Sequence, residues 1–153
     1  MPVSRSLAFT LLAAGLFAAL PSCSPPAEAV AAGAAITAPT GQGATIKVYR
    51  SLSAPVASAA RIYLDDAFLG YVSSRSQNTF HVKPGTYRLR VKYPTDPWSF
   101  LNRTKPFTIA KGQTLHFGIG FSGGGEFVGS GHVSPLSSEE AVRVNERYPS
   151  RGD

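Results

Sequence analysis

From Thr45 onward, apolar and polar residues alternate with a period of two, the spacing of a half-buried β-strand. Two runs show it most clearly. In Thr86–Tyr93, Tyr87, Leu89, Val91 and Tyr93 alternate with Thr86, Arg88, Arg90 and Lys92. In Thr114–Phe121, Leu115, Phe117, Ile119 and Phe121 share one face. Shorter runs place Ile46 and Val48, Ile62 and Leu64, and Phe80 and Val82 on single faces, and further strands are expected at 68–72 and 105–109. Asp65-Asp66, Lys83-Pro84-Gly85 and Lys111-Gly112-Gln113 are the turns, with Pro presetting φ and Gly free to take φ > 0. Seven short strands without long helical patterns between them predict an all-β fold, an antiparallel β-sandwich. One short C-terminal helix follows, capped by Ser137 with Glu140 completing a capping box. Ala141, Val142 and Val144 are expected to face the sheet, and the helix to end near Tyr148-Pro149. Gly-rich 122–135 reads as loop.

The first residues obey a different pattern. Leu7 to Leu20 is almost wholly apolar, preceded by Arg5 and ended by Pro21. This run is short of the roughly 20 residues that span a bilayer, so residues 1–22 read as a signal peptide. Leu20-Pro21-Ser22-Cys23 resembles the lipobox of bacterial lipoproteins. The resemblance implies a diacylglyceryl group on Cys23, and so a partnership with a membrane through an N-terminal lipid. Cys23 is the chain's one cysteine and has no internal disulfide partner. Ser24, where an Asp would resemble an inner-membrane retention signal, implies the outer membrane, with the domain facing the periplasm. Cleavage after Ala27-Glu28-Ala29, giving a secreted protein, is the alternative.

Between Cys23 and the strands lies a segment rich in Ala, Pro, Gly and Thr whose one charge is Glu28. With no sustained period, 23–44 reads as a lipidated Cys and flexible tether, spanning about 25 Å as a random coil. Residues 45–148 are then the β-sandwich domain and 149–153 a tail.

Composition adds a charge preference. The chain has 15 Lys+Arg against 9 Asp+Glu, a net +6, which favours anionic surfaces or simply keeps the protein soluble. It has no Lys/Arg run of the kind that marks nucleic-acid binding, so nucleic acid is not expected as a partner. The basic residues instead form a stripe, Arg88, Arg90 and Lys92, on one face of a strand. It is a candidate surface for an anionic ligand, open to widening by Lys47, Arg61 or Arg75. Tyr71, Trp98 and Phe100 could add an aromatic platform for a sugar. A solvated outer face is the plainer reading.

Ile62-Tyr63-Leu64-Asp65-Asp66-Ala67-Phe68-Leu69-Gly70, Val82–Val91 and Ile109–Gln113 together resemble the PEGA type of bacterial surface domain, and small bacterial lipoproteins built on a similar pattern. The likeness covers roughly residues 45 to 121. It implies a transthyretin-like (prealbumin-like) sandwich at the cell envelope, with no catalytic residues and no cofactor.

Other motifs carry less. Gly120-Phe121-Ser122-Gly123-Gly124 fits G-x-S-x-G, but that elbow needs a helix directly after the strand, which Gly125-Glu126-Phe127 does not predict. Gly118, Gly120 and Gly123 fit a dinucleotide fingerprint that also lacks its helix; crowding against a neighbouring element accounts for them better. His81 and His116 fall on outward faces and, with a carboxylate, would suit a metal, though scattered histidines more often bind none. Arg151-Gly152-Asp153 spells a cell-adhesion tripeptide out of context. The expectation is a lipid-anchored, non-catalytic module that binds or scaffolds an envelope protein, peptidoglycan or an anionic glycan. The alternatives are a structural accessory subunit that pairs through a sheet edge and, well behind, a secreted esterase-like hydrolase.

Overall fold

The computed structural model describes residues 24–50, 59–93, 102–122 and 130–147. The chain is mostly strand, with two short helices. In order come α1 (Ala27–Ile36), β1 (Ala44–Arg50), β2 (Ala60–Leu64), β3 (Ala67–Val72), β4 (Ser76–Val82), β5 (Gly85–Tyr87), β6 (Leu89–Lys92), β7 (Phe107–Ile109), β8 (Thr114–Ser122), β9 (Ser130–Leu136) and α2 (Ser138–Arg147). No helix among the described residues is long and apolar enough to cross a membrane.

One sheet has the order β4-β1-β8-β9 and a second β3-β2-β6, with β5 and β7 forming a short ribbon. The predicted strand 86–93 is divided because the chain changes partners at Arg88: β5 pairs β7, and β6 pairs β2. Asp65 fixes that point, its amide donating to Arg88 O at 2.8 Å and its Oδ1 accepting from Arg88 N at 3.1 Å. Asp65 holds φ 51, a left-handed turn value that Asp tolerates, and so closes a two-residue hairpin with Leu64 opposite Ala67. Alternation puts Ile46, Val48, Ile62, Leu64, Leu89, Val91, Phe117 and Ile119, from both large sheets, into one buried cluster.

Five expectations are corrected. The sandwich is not wholly antiparallel: β1 pairs parallel with β8, from Thr45↔Thr114 to Arg50↔Ile119. The long excursion through the second sheet between them is the kind of connection a parallel pair needs. The expected loop at 122–135 contains β9, paired antiparallel with β8 from His116↔Leu136 to Ser122↔Ser130. Val142 does not face the sheet but is 57% exposed; Ala141 is the buried residue of α2. The capping box is present, with Ser137 N donating to Glu140 Oε2 at 2.8 Å and Glu140 N to Ser137 Oγ at 3.2 Å. Gly85 does not adopt a positive φ; it is small because the Tyr87 ring folds back over it, the hydroxyl donating to Lys83 O at 2.9 Å.

The fifth correction concerns the tether. Residues 27–36, expected within a flexible leash, form α1, which packs along β3. Alanine is the best helix former, so the segment needs only a docking surface. Gly33 supplies the fit, since a Cβ there would collide with the carbonyl of Phe68. Residues 36–38 then run beside β4: Lys83 N donates to Ile36 O at 2.8 Å and Ala38 N to His81 O at 3.0 Å. The β3 and β4 side of the molecule is thereby covered.

Gly33→Ala tests this docking by its sign. Propensity alone predicts a gain of roughly 0.5–1 kcal/mol. A docked α1 predicts the opposite, a lower melting temperature and faster proteolysis within 24–43. Unchanged or slower cleavage would show that α1 does not rest on β3.

Candidate functional site

The alternation that buries Leu89 and Val91 turns Arg90 and Lys92 outward; the same parity in β2 sets Arg61 and Tyr63 on that outer face, where both are buried beneath their neighbours. Register sets Arg90 opposite Tyr63 and Lys92 opposite Arg61. The Arg90 guanidinium lies 4.9 Å over the Tyr63 ring, a cation–π contact. Its Nη2 is 3.2 Å from Asp66 Oδ1. Asp66 is 94% exposed at its side chain, so this pair is weak, on the order of 0.2–1 kcal/mol, and opens readily to a competing anion. Arg90 Nε is buried without a hydrogen-bond partner among the described residues. An aromatic row continues outward from Tyr63 to Phe68, ring centroids 5.4 Å apart, and to half-exposed Tyr71, 5.1 Å further on.

Two depressions flank Arg90. The larger, 400 Å³, lies between α1 and the sheet, with Glu28, Ala29 and Ala32 on one wall and Tyr63, Asp66, Arg90 and Lys92 on the other. The smaller, 110 Å³, gathers Arg88, Arg90 and Arg103 around Asp65 and Asp66. Four basic and three acidic side chains thus share this face. Such a mixture suits a ligand with isolated anionic groups among many hydroxyls. Arg and Lys meet the anion and carboxylates accept from hydroxyls, while the buried Tyr63 ring holds the Arg90 guanidinium in place.

The predicted stripe of Arg88, Arg90 and Lys92 is therefore assembled on one face; Arg61 lies opposite Lys92 but is buried and lines neither depression. Lys47 and Arg75 do not: Lys47 belongs to the other sheet and Arg75 to the β3–β4 turn, at φ 55. Tyr71 is on the face, whereas Trp98 and Phe100 fall outside the described residues, as does Cys23. Arg103 escaped sequence reasoning for a definite reason. Counting back by twos from Phe107 and Ile109 puts Arg103 on the inner face. Arg90↔Arg103 and Tyr87↔Phe107 are one residue out of step, so the chain slips between them and Arg103 turns out. The α1 wall was missed with the helix itself.

The histidines do not converge. β1 separates His81 from His116; His81 Nδ1 is 3.4 Å from Thr45 Oγ1, and His116 Nδ1 is 2.9 Å from the Tyr49 hydroxyl. No group of three or more metal-binding side chains occurs among the described residues. The G-x-S-x-G serine lies in β8, whose next described element is its own hairpin partner β9 rather than a helix. Gly118 and Gly120 make room for Leu136 and His132, which lie against them from β9. Compared with known proteins, the chain matches no protein-family model, and no curated protein matches it closely enough to count as a relative.

His116 gives a pH prediction. Burial, and Lys47 beside it, hold its pKa below the ordinary 6.5. The folded state therefore disfavours the imidazolium, so its contribution is complete above pH 6.5 and is lost as pH falls below that value. Urea melts at pH 7.5 and 5.0 should show a loss of stability on acidification that shrinks in His116→Phe. An unchanged pH difference in the variant would assign the loss elsewhere.

Proposed function

We propose that this protein is a lipid-anchored, non-catalytic component of the bacterial envelope, whose β3-β2-β6 face binds an anionic glycan. The observation that carries the reading is Arg90, held 4.9 Å over the Tyr63 ring between two polar depressions and tied to Asp66 in the β2–β3 turn by one weak ion pair. A guanidinium so placed, held by the buried ring beneath it, is preorganised for a bidentate anion. The two-sheet arrangement is in keeping with a transthyretin-like sandwich of the PEGA type.

Anchoring rests on Leu20-Pro21-Ser22-Cys23. Only Ser24, Pro25 and Pro26 separate Cys23 from α1, a reach of about 10–14 Å. A lipid on Cys23 would hold the basic face close to the membrane, on the outer-membrane side of the periplasm. The nearby glycans there are those of lipopolysaccharide and peptidoglycan.

Intact-mass measurement of the protein purified from membranes, beside Cys23→Ala, tests the anchor. The expected mass begins at Cys23 and carries acyl chains, and the variant loses both the chains and membrane fractionation. A soluble species beginning near Val30 would make the protein secreted.

Pelleting with murein and with lipopolysaccharide tests the face. Binding should be strong at low salt, fall as salt rises, and weaken about tenfold in Arg90→Ala, the loss expected for one charged hydrogen bond. Salt-insensitive pelleting, or equal pelleting of Arg90→Glu, would remove the glycan reading.

A further inference from the structure

The two lateral sides of the molecule are treated differently. On one, α1 and residues 36–38 cover β3 and β4. On the other, β9 and residues 102–109 diverge and leave a cleft of 490 Å³. They start together, since Gly131 of β9 is packed against the Tyr93 ring and the Asn102 side chain. Toward the far end the gap is lined by Phe107, Leu115, Phe117, Val133 and Leu136. Phe107, Leu115 and Val133 are half-buried, packing against the core on one side. Arg103 and Lys105, both exposed, stand at the rim.

We propose that this cleft binds a free fatty acid, its acyl chain between the sheets and its carboxylate at Arg103 and Lys105. The volume lies in the range of small-molecule sites. The lining is apolar, and the charge at the mouth is cationic, so the complement is a linear apolar body with one anionic end. An added β-strand fits less well. Pro106 and Pro135 each remove an amide donor from the segments beside the cleft, and a strand binds chiefly through such donors. An acyl chain asks for none. This site is on the opposite side of the chain from the α1 groove; it shares Arg103 with the smaller depression beside Arg90, whereas Lys105 belongs to the cleft alone.

The test is titration of the full chain bearing Cys23→Ala, prepared free of detergent, with octanoate, decanoate and laurate by calorimetry. Saturable 1:1 binding is expected, tightening about fourfold for each added methylene as the chain is buried. Lys105→Glu, a change at an exposed residue, should weaken laurate at least tenfold and favour dodecyltrimethylammonium instead, whereas Arg90→Ala should leave laurate binding unchanged. A melting curve like that of the parent establishes that Lys105→Glu is folded. Absence of saturable laurate binding, indifference to Lys105→Glu, or dependence on Arg90 would overturn the proposal. So would a dimer that persists in excess laurate, which would assign the cleft to a second copy of the chain.

Discussion

A fully buried guanidinium holds the two sheets in one alignment. Arg50 ends β1 on the inward face, with the same parity as Ile46 and Val48. Its charge lies 5.1 Å over the Tyr93 ring, and Nη1 donates to Val72 O at 3.1 Å. The Tyr93 hydroxyl in turn donates to Gly120 O at 3.3 Å. Burial lowers the affinity of Arg50 for its proton, but an arginine remains charged in proteins. Water being excluded, that charge must be met by the ring and the carbonyl. The contact draws on β1 and β8 of one sheet and on β3 and the end of β6 of the other. A strand slipped by one residue would turn Arg50 outward and leave Val72 O without it.

With that end fastened, the rest of the architecture follows from where each edge finds cover. Small side chains let α1 lie tightly along β3, and the short extended piece after it satisfies part of β4. On the opposite side residues 102–104 satisfy part of β6 in the same way, Val91 N donating to Asn102 O and Thr104 N to Leu89 O, each at 2.9 Å, but the segment then diverges from β9. The basic face and the lateral cleft are therefore both products of the same asymmetry: α1 builds a wall beside Arg90 on one side, and its absence leaves apolar surface on the other.

The strands with strong alternation were legible in the sequence. Thr86–Tyr93 and Thr114–Phe121 each bury one parity, and Leu89, Val91, Tyr93, Phe117 and Ile119 all lie in the core. The start of α2 was legible because a capping box is a local device. What escaped depends on partners distant in sequence. β9, Ser-Gly-His-Val-Ser-Pro-Leu, has too few apolar residues to show a period; it is a strand because β8 offers it a ladder. α1 has almost no amphipathic contrast, and Gly33 at its middle reads as a breaker until Phe68 is seen against it. Arg103 was hidden by a one-residue slip that no pattern of spacing announces. The basic stripe could be read, but not the ring beneath it or the wall beside it.

The parallel pairing of β1 with β8 has a consequence for how the chain reaches this state. Thr45 meets Thr114 about 70 residues later, so the central ladder closes only after most of the domain has been made. Contacts of such separation carry a large loop-closure cost and slow the search. Chains emerge N-terminus first. β1, with Ile46 and Val48 unshielded, waits through the synthesis of β2 to β7, and β4 alone can cover one of its edges in the interval.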